Sequence, residues 1–142
     1  MIKKILVAYD GSDSAKTAFE FALDIAKKYG AELNVLAVAS APEFGAEVET
    51  EAIIESSLRH YNKILHSLKT RVEGLTATFE VMLGHPAESI VTYAESHDID
   101  HIVVGHRGHS MFERWLLGSV ARQVIAYAHC TVTVVRGDGG KT

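Results

Sequence analysis

The 142-residue sequence has few of the features that mark disulfide-rich, disordered or membrane proteins. Its single cysteine, Cys130, cannot form an internal disulfide, which excludes a disulfide-stapled fold. Only two prolines accompany 47% hydrophobic and 23% charged residues, a composition that excludes a disordered chain. No apolar run approaches the roughly 18 residues of a membrane span, and the run at residues 2–8 is too short for a signal peptide. We therefore expect a soluble protein in a reducing cytoplasm, with no membrane partner.

The chain also lacks an excess of positive charge. Its 14 lysines and arginines stand against 18 aspartates and glutamates, a formal net charge of -4. Without a basic face there is little electrostatic attraction to a nucleic-acid backbone, so nucleic acid is not an expected partner. The length predicts one domain. We place this domain at residues 1–136 and expect residues 137–142 to form a disordered tail, because they have nothing to pack against.

Apolar periodicity shows strands that alternate with helices. Strands are predicted at residues 4–9, 33–39, 76–83, 101–104 and 131–136, and helices at residues 14–29, 48–72, 87–97 and 118–128. Parallel neighbours need such crossover helices, and the crossovers are right-handed. The predicted fold class is therefore α/β: one doubly wound, open, parallel five-stranded sheet with helices on both faces. In such sheets the ligand lies beyond the carboxyl ends of the strands, where Asp10 and Gly105 end strands one and four.

Three glycines follow the fourth strand and lead into the fourth helix. They are Gly105, Gly108 and Gly118, and the hydroxyl residue Ser119 comes directly after the last. A loop that runs from a strand end into a helix N-terminus presents free N–H groups and a positive dipole end, which favours an anion such as phosphate. The spacing, Gly-x2-Gly-x9-Gly-Ser, fits neither a Walker A loop nor the glycine pattern of dinucleotide-binding folds. The loop therefore predicts a phosphate site of a different type.

The glycine loop and the first strand together resemble a known family. The segments that carry the likeness are residues 5–12, residues 84–90 and residues 105–120. They are similar to the universal stress protein family, in its ATP-binding branch, over about residues 1–136. The resemblance implies a Rossmann-like sheet in the order 3-2-1-4-5, ATP or another adenine nucleotide as ligand, and a homodimer. Residues 128–132 depart from the family pattern because they lack its usual prolines, which puts the entry to the last strand in doubt.

Several residues around the predicted switch point are candidates for binding the nucleotide. Asp10 can bond a ribose hydroxyl or coordinate a Mg²⁺ that bridges phosphates, and it can equally cap the turn that follows. Arg107 can screen phosphate charge or remain a solvated loop arginine. The resemblance implies that Val38 contacts adenine through its backbone and that Gly84 lines the site. The full candidate set is Ala8, Tyr9, Asp10, Val38, Gly84, Gly105, Arg107, Gly108, Gly118, Ser119 and Val120.

The motifs support binding better than catalysis. No nucleophile, base and orienting third group come together in them, as a dedicated hydrolase requires. The leading hypothesis is a cytoplasmic regulatory protein of the universal stress type that binds ATP, ADP or AMP, with Mg²⁺ on Asp10 when ATP is bound, and acts through a protein partner that the sequence does not identify. One alternative is a slow Mg²⁺-dependent ATPase, or an enzyme that transfers nucleotidyl or phosphoryl groups at the same site. Another is a dimeric scaffold that does not depend on nucleotide.

The last strand predicts how two copies assemble. In the order 3-2-1-4-5 the strand at residues 131–136 lies at an edge, where unpaired N–H and C=O groups can pair with another chain. Only Arg136 adds charge to it, and the tail is too flexible to cover it. We therefore expect this strand to pair with its copy about a two-fold axis.

Overall fold

The computed structural model describes residues 2–40, 47–107 and 117–137. In chain order the described elements are β1 (Lys4–Ala8), α1 (Asp13–Tyr29), β2 (Glu32–Ala39), α2 (Glu47–His66), a short 3₁₀ helix (Lys69–Val72), β3 (Ala77–Leu83), α3 (Pro86–Ser96), β4 (His101–Gly105), α4 (Ser119–Tyr127) and β5 (Thr131–Val135). The predicted alternation of strands and helices is confirmed. Gly108 and residues 138–142, which belong to the predicted phosphate loop and the predicted tail, lie outside the described residues.

The five strands form one sheet in the order β3-β2-β1-β4-β5, and every neighbouring pair is parallel. The predicted fold class and the implied strand order are both confirmed. The order reverses between β1 and β4, where Val7 lies beside Val103. The carboxyl ends of these two strands therefore lie side by side, which is where an open α/β sheet binds its ligand.

Each face of the sheet has its own apolar core. Side chains of α1 and α2, among them Phe19 and Leu65, pack on one face, and side chains of α3 and α4, among them Ile90 and Val124, pack on the other. In β1 the residues Ile5, Leu6 and Val7 are fully buried because they alternate between the two cores. A continuous apolar run of this kind is typical of a parallel strand covered on both sides.

One predicted helix is shorter than its apolar period indicates. The helix predicted at residues 48–72 ends at His66 and gives way to the 3₁₀ helix Lys69–Val72. Hydrogen bonds from the Leu68 N–H to the Leu65 carbonyl and from the Arg71 N–H to the Leu68 carbonyl span three residues rather than four. Leu65, Leu68 and Val72 still pack into the core, so the apolar spacing alone does not separate the two helix types.

The other predicted element ends agree within one residue, which is within the usual fraying of such boundaries. β5 forms directly after residues 128–130, so the missing family prolines do not prevent the last strand. No helix among the described residues is long and apolar enough to cross a membrane.

Candidate functional site

A cavity of about 330 Å³ opens beyond the carboxyl ends of β1, β2 and β4. The described residues that line it are Ala8, Tyr9, Asp10, Ser12, Ala15, Leu36, Val38, Ser40, Tyr61, Pro86, Ile90, Val104, Gly105, Arg107, Gly118, Ser119, Val120 and Ala121. Of the predicted site residues that the structure describes, all except Gly84 lie on this lining. The cavity lies at the switch point between β1 and β4.

Gly84 lies outside this lining, immediately after β3. Its N–H donates to the Ala39 carbonyl at 2.9 Å, which extends the pairing between β2 and β3. Its φ of 157° lies in a region that favours glycine, and a Cβ there would stand 3.0 Å from the Ser89 hydroxyl oxygen. The backbone and this contact account for the glycine. Gly108 lies outside the described residues.

The described lining of the cavity has an apolar part and a polar part. Leu36, Val38 and Ile90 belong to or pack against the core under α3 and α4, and together with Val120 they form an apolar wall. The polar part, called the polar end below, includes the side chains of Asp10, Ser12, Arg107 and Ser119. Largely apolar clefts with a few well-placed polar groups are the usual form of small-molecule sites. A lining with both kinds of group can hold a flat apolar ring and an anion in one ligand.

The polar end includes the N-terminus of α4. Gly118 is the N-cap residue, at φ −66° and ψ 162°, and it has no side chain to cap the helix. Because Ser119, Val120 and Ala121 form the first turn, their N–H groups have no intrahelical acceptor. All three residues line the cavity. Ser119 is the first helical residue rather than the N-cap. The positive end of the helix dipole and three N–H groups without an intrahelical acceptor therefore belong to residues of the cavity lining.

The Asp10 carboxylate lies at the rim, just before α1. Its Oδ1 accepts the Ser12 N–H at 2.9 Å, and the Ser12 hydroxyl in turn accepts the Ala15 N–H at 3.2 Å as the N-cap of α1. Gly11, between them, has a φ of 83° that only glycine adopts easily. The turn-capping role considered for Asp10 is therefore present, and the same turn holds the carboxylate at the cavity.

Gly105 at the end of β4 is a glycine because α1 packs against it. A Cβ on Gly105 would clash with the Ser14 side chain and would stand 2.8 Å from the Ser14 backbone carbon and oxygen. The next turn is bonded to the same residue, since the Arg107 N–H donates to the Ser14 hydroxyl at 3.3 Å. The predicted phosphate-loop residue thus also serves close helix–strand packing.

The sequence interpretation did not include Tyr61, which reaches the cavity from α2. Its pKa is raised, first by burial and then by the nearby Asp10 carboxylate. Ile64, one helical turn further on, packs against the turn at Gly11, so this face of α2 covers the loop that carries Asp10. Tyr61 falls within a helical apolar period, and nothing in that pattern separates a core position from a cavity wall.

The lining can accept a metal ion only together with a ligand. Among the described residues there is no group of three or more His, Cys, Asp or Glu that could hold a metal, and Asp10 is the only carboxylate on the described lining. Mg²⁺ is commonly held by one or two carboxylates together with substrate phosphates and water. Asp10 therefore fits a Mg²⁺ carried by a bound phosphate group, and the described residues do not fit a resident metal site.

Comparison with known proteins agrees with this geometry. The universal stress protein MJ0531 of Methanocaldococcus jannaschii is 38% identical over 141 residues, which cover 96% of this chain and 83% of that protein. The structure of the universal stress protein UspA from Lactobacillus plantarum superposes with a TM-score of 0.87 at 28% identity, and the match covers 94% of this chain and 97% of that one.

Two more distant structures share the fold and are described with a ligand. A family protein from Arabidopsis thaliana, with AMP bound, has a TM-score of 0.74 at 19% identity and covers 99% and 95% of the two chains. A universal stress protein in complex with cAMP has a TM-score of 0.73 at 24% identity and covers 94% and 96%. The model of the universal stress protein family matches residues 1–136, the stretch that holds the whole sheet and the cavity. With strand order, glycine loop and family match in agreement, this chain belongs to the universal stress protein family.

Proposed function

We propose that the cavity binds an adenine nucleotide, ATP, ADP or AMP, and that the protein is a regulatory binding protein of the stress response. The observation that carries the proposal is the uncapped N-terminus of α4, which opens into the same cavity as the Asp10 carboxylate. Helix N-termini bind phosphate because their free N–H groups and dipole both favour negative charge. A carboxylate at the same rim suits the hydroxyl groups of a ribose.

The remaining parts of a nucleotide match the rest of the lining. The apolar wall around Val38 and Ile90 suits adenine, and Val38, late in β2, is on the cavity lining, which supports the contact that the family resemblance implies. Gly118, with no side chain, lets a phosphate approach the first turn of α4. Arg107 brings a positive charge to the same end. When ATP is bound, Mg²⁺ supplies charge neutralisation between its phosphates, and Asp10 is the residue that would hold it.

A binding role fits the described lining better than an enzymatic one. A general base must lie within hydrogen-bond reach of the proton it removes, and a hydrolase also needs groups that orient its nucleophile. On the described lining the one carboxylate, Asp10, is already bonded to the turn at Ser12. We infer that nucleotide occupancy changes the conformation or the partners of the protein, and that the protein acts in the cytoplasm.

We also propose that two copies pair through β5. The Val135 carbonyl accepts a hydrogen bond from the His106 N–H on the β4 side. Since backbone groups of successive strand residues point to opposite edges, the N–H and C=O of Val134 and Val132 point outward. An outward row of this kind can bond to the same row of a second copy about a two-fold axis.

The direct test is to identify what the purified protein carries. Denaturing the protein and analysing the released small molecules by mass spectrometry should detect an adenine nucleotide. Isothermal titration calorimetry with AMP, ADP and ATP, with and without Mg²⁺, then ranks the ligands. If no adenine nucleotide is released and none binds, the proposed function is wrong.

Gly118→Val tests the location of the site. A branched side chain at the N-cap would occupy the space in front of the free N–H groups, so nucleotide binding should be lost while the protein stays folded by circular dichroism. Ala126→Val is the matched control, because Ala126 is an exposed residue on the same helix and lies outside the cavity lining. Unchanged affinity in folded Gly118→Val protein would contradict the assigned site.

A further inference from the structure

Two buried polar side chains lie behind the cavity wall and do not line it. Ser14 on α1 and His106 in the turn after β4 are 8% and 9% exposed. The Ser14 hydroxyl accepts the Arg107 N–H at 3.3 Å, and its Oγ lies 3.5 Å from Nδ1 of His106. These contacts connect α1 to the turn that carries Arg107.

The His106 backbone connects the same turn to two further elements. Its N–H donates to the Val135 carbonyl at 3.0 Å, and its carbonyl accepts the Gly118 N–H at 2.7 Å. Gly118 is the N-cap of α4, and both Gly118 and Arg107 line the cavity. A shift of His106 would therefore move both the cation and the helix end at the polar end of the cavity.

The hydroxyl of Ser14 has a single hydrogen, which links these contacts to the protonation of His106. In the neutral tautomer that carries its proton on Nε2, the ring offers Nδ1 as an acceptor, so the Ser14 hydroxyl can donate to it and still accept the Arg107 N–H. When Nδ1 is protonated it becomes a donor, so the Ser14 hydrogen loses this acceptor and must turn elsewhere in a buried site.

The charges around the ring also disfavour its protonated form. Burial lowers the pKa of His106, and so do Arg136, which follows β5, and Arg107 in its own turn, whereas a hydrogen bond to the Val135 carbonyl raises it. From α1 the facing group is the hydroxyl of Ser14. The neutral ring is thus the form that fits this packing at neutral pH.

We propose that Ser14 and His106 are positioning residues that hold Arg107 and the start of α4 at the cavity while the ring is neutral, and release them when it is protonated. The inference rests on the proposed nucleotide function. Acidification would then weaken nucleotide binding through groups that do not touch the nucleotide, and the protein would respond to pH as well as to ligand.

The test compares AMP affinity across pH in the full chain. Calorimetry is performed between about pH 8 and about pH 5 on the wild type, on His106→Asn and on His66→Asn. The range extends well below the ordinary histidine pKa because burial lowers the pKa of His106. Asparagine keeps a polar atom near the position of Nδ1 and does not titrate, and His66 is an exposed histidine at the end of α2. The AMP phosphate also titrates in this range, but it does so equally for all three proteins.

The wild type and His66→Asn should lose about tenfold more affinity than His106→Asn over this range, a usual size for coupling between two sites, because only the titratable ring links protonation to the position of Arg107 and α4. Ser14→Ala should weaken AMP binding already at the alkaline end, because the Arg107 N–H loses its acceptor. Equal pH dependence of AMP affinity in the wild type and His106→Asn would overturn this inference and leave the proposed function untouched. Absence of AMP binding to the wild type at alkaline pH would overturn the proposed function together with it.

A measurement on the wild type covers the case in which a variant fails to fold. In an NMR titration of the His106 ring, saturating AMP should lower its apparent pKa, since the bound conformation favours the neutral ring. A pKa that AMP leaves unchanged or raises would overturn the inference.

Discussion

At the scale of single residues, two glycines of the loop have different physical roles. Gly105 lies under α1, where a side chain has no room. Gly118 is at ordinary backbone angles, and its lack of a side chain leaves the first N–H groups of α4 open to the cavity. Substitution at the first should therefore affect folding, and substitution at the second should affect binding.

We expect Gly105→Ala to lower the free energy of unfolding by about 1–3 kcal/mol, the usual cost of overpacking a core. Urea denaturation followed by circular dichroism measures this change. Ser14→Ala should not rescue the variant, because the Ser14 backbone would also stand 2.8 Å from the new Cβ. A Gly105→Ala protein as stable as the wild type would contradict the close packing of α1 on β4.

At the scale of elements, the two serines at helix starts differ in position. Ser12 is the N-cap of α1, and its hydroxyl accepts the Ala15 N–H. Ser119 is already within α4, is exposed and faces the cavity. The two serines should therefore respond differently to the same substitution.

Ser12→Ala should lower the free energy of unfolding by about 1 kcal/mol, the usual cost of losing an N-cap. Ser119→Ala should leave it nearly unchanged and instead weaken nucleotide binding by about 1 kcal/mol, roughly fivefold, as one hydrogen bond is lost. Urea denaturation and calorimetry on both variants provide the comparison, in which each serves as the control for the other. A stability loss confined to Ser119→Ala would reverse the assignment.

The outward edge of β5 provides a further prediction at this scale. Val134→Pro removes an N–H that points away from β4, so it should shift the proposed dimer toward monomer in analytical ultracentrifugation while the fold remains. Val135→Pro, the matched variant, removes an N–H on the β4 side and should destabilise the protein itself. A wild-type protein that sediments as a monomer at micromolar concentration would refute the assembly.

At the scale of the whole molecule, the sheet order places β1 and β4 side by side, and the cavity lies where their carboxyl ends meet. The cores on the two faces hold this junction between α1 and α2 on one side and α3 and α4 on the other. The described lining at this junction offers binding groups and a single carboxylate.

We accordingly expect the purified protein to hydrolyse MgATP far more slowly than the roughly 1–10³ s⁻¹ of typical enzymes. Release of phosphate over time is the measurement, with Asp10→Ala as the control for a contaminating ATPase. Turnover within the enzymatic range that Asp10→Ala abolishes would favour the ATPase or transferase hypothesis instead.

The sequence alone determined the alternation of elements and predicted where the candidate site lies. Continuous apolar runs such as Ile102 to Val104 indicate strands buried on both faces, and the turns at Asp10 and Gly105 occur where such strands end, because these patterns are local. Local periodicity does not determine strand order. The family resemblance implied the order, and the structure confirmed it.

Only the tertiary structure decided which distant groups meet at the cavity. Tyr61 reaches it from α2, and Ser14 sits against Gly105 and His106, contacts that join residues far apart in the chain. It also showed that Gly84 lies outside the lining and that the helix after residue 47 ends early. These features depend on which elements pack against each other in the folded chain. The apolar period of a segment indicates which face is buried, but it does not indicate which element covers that face.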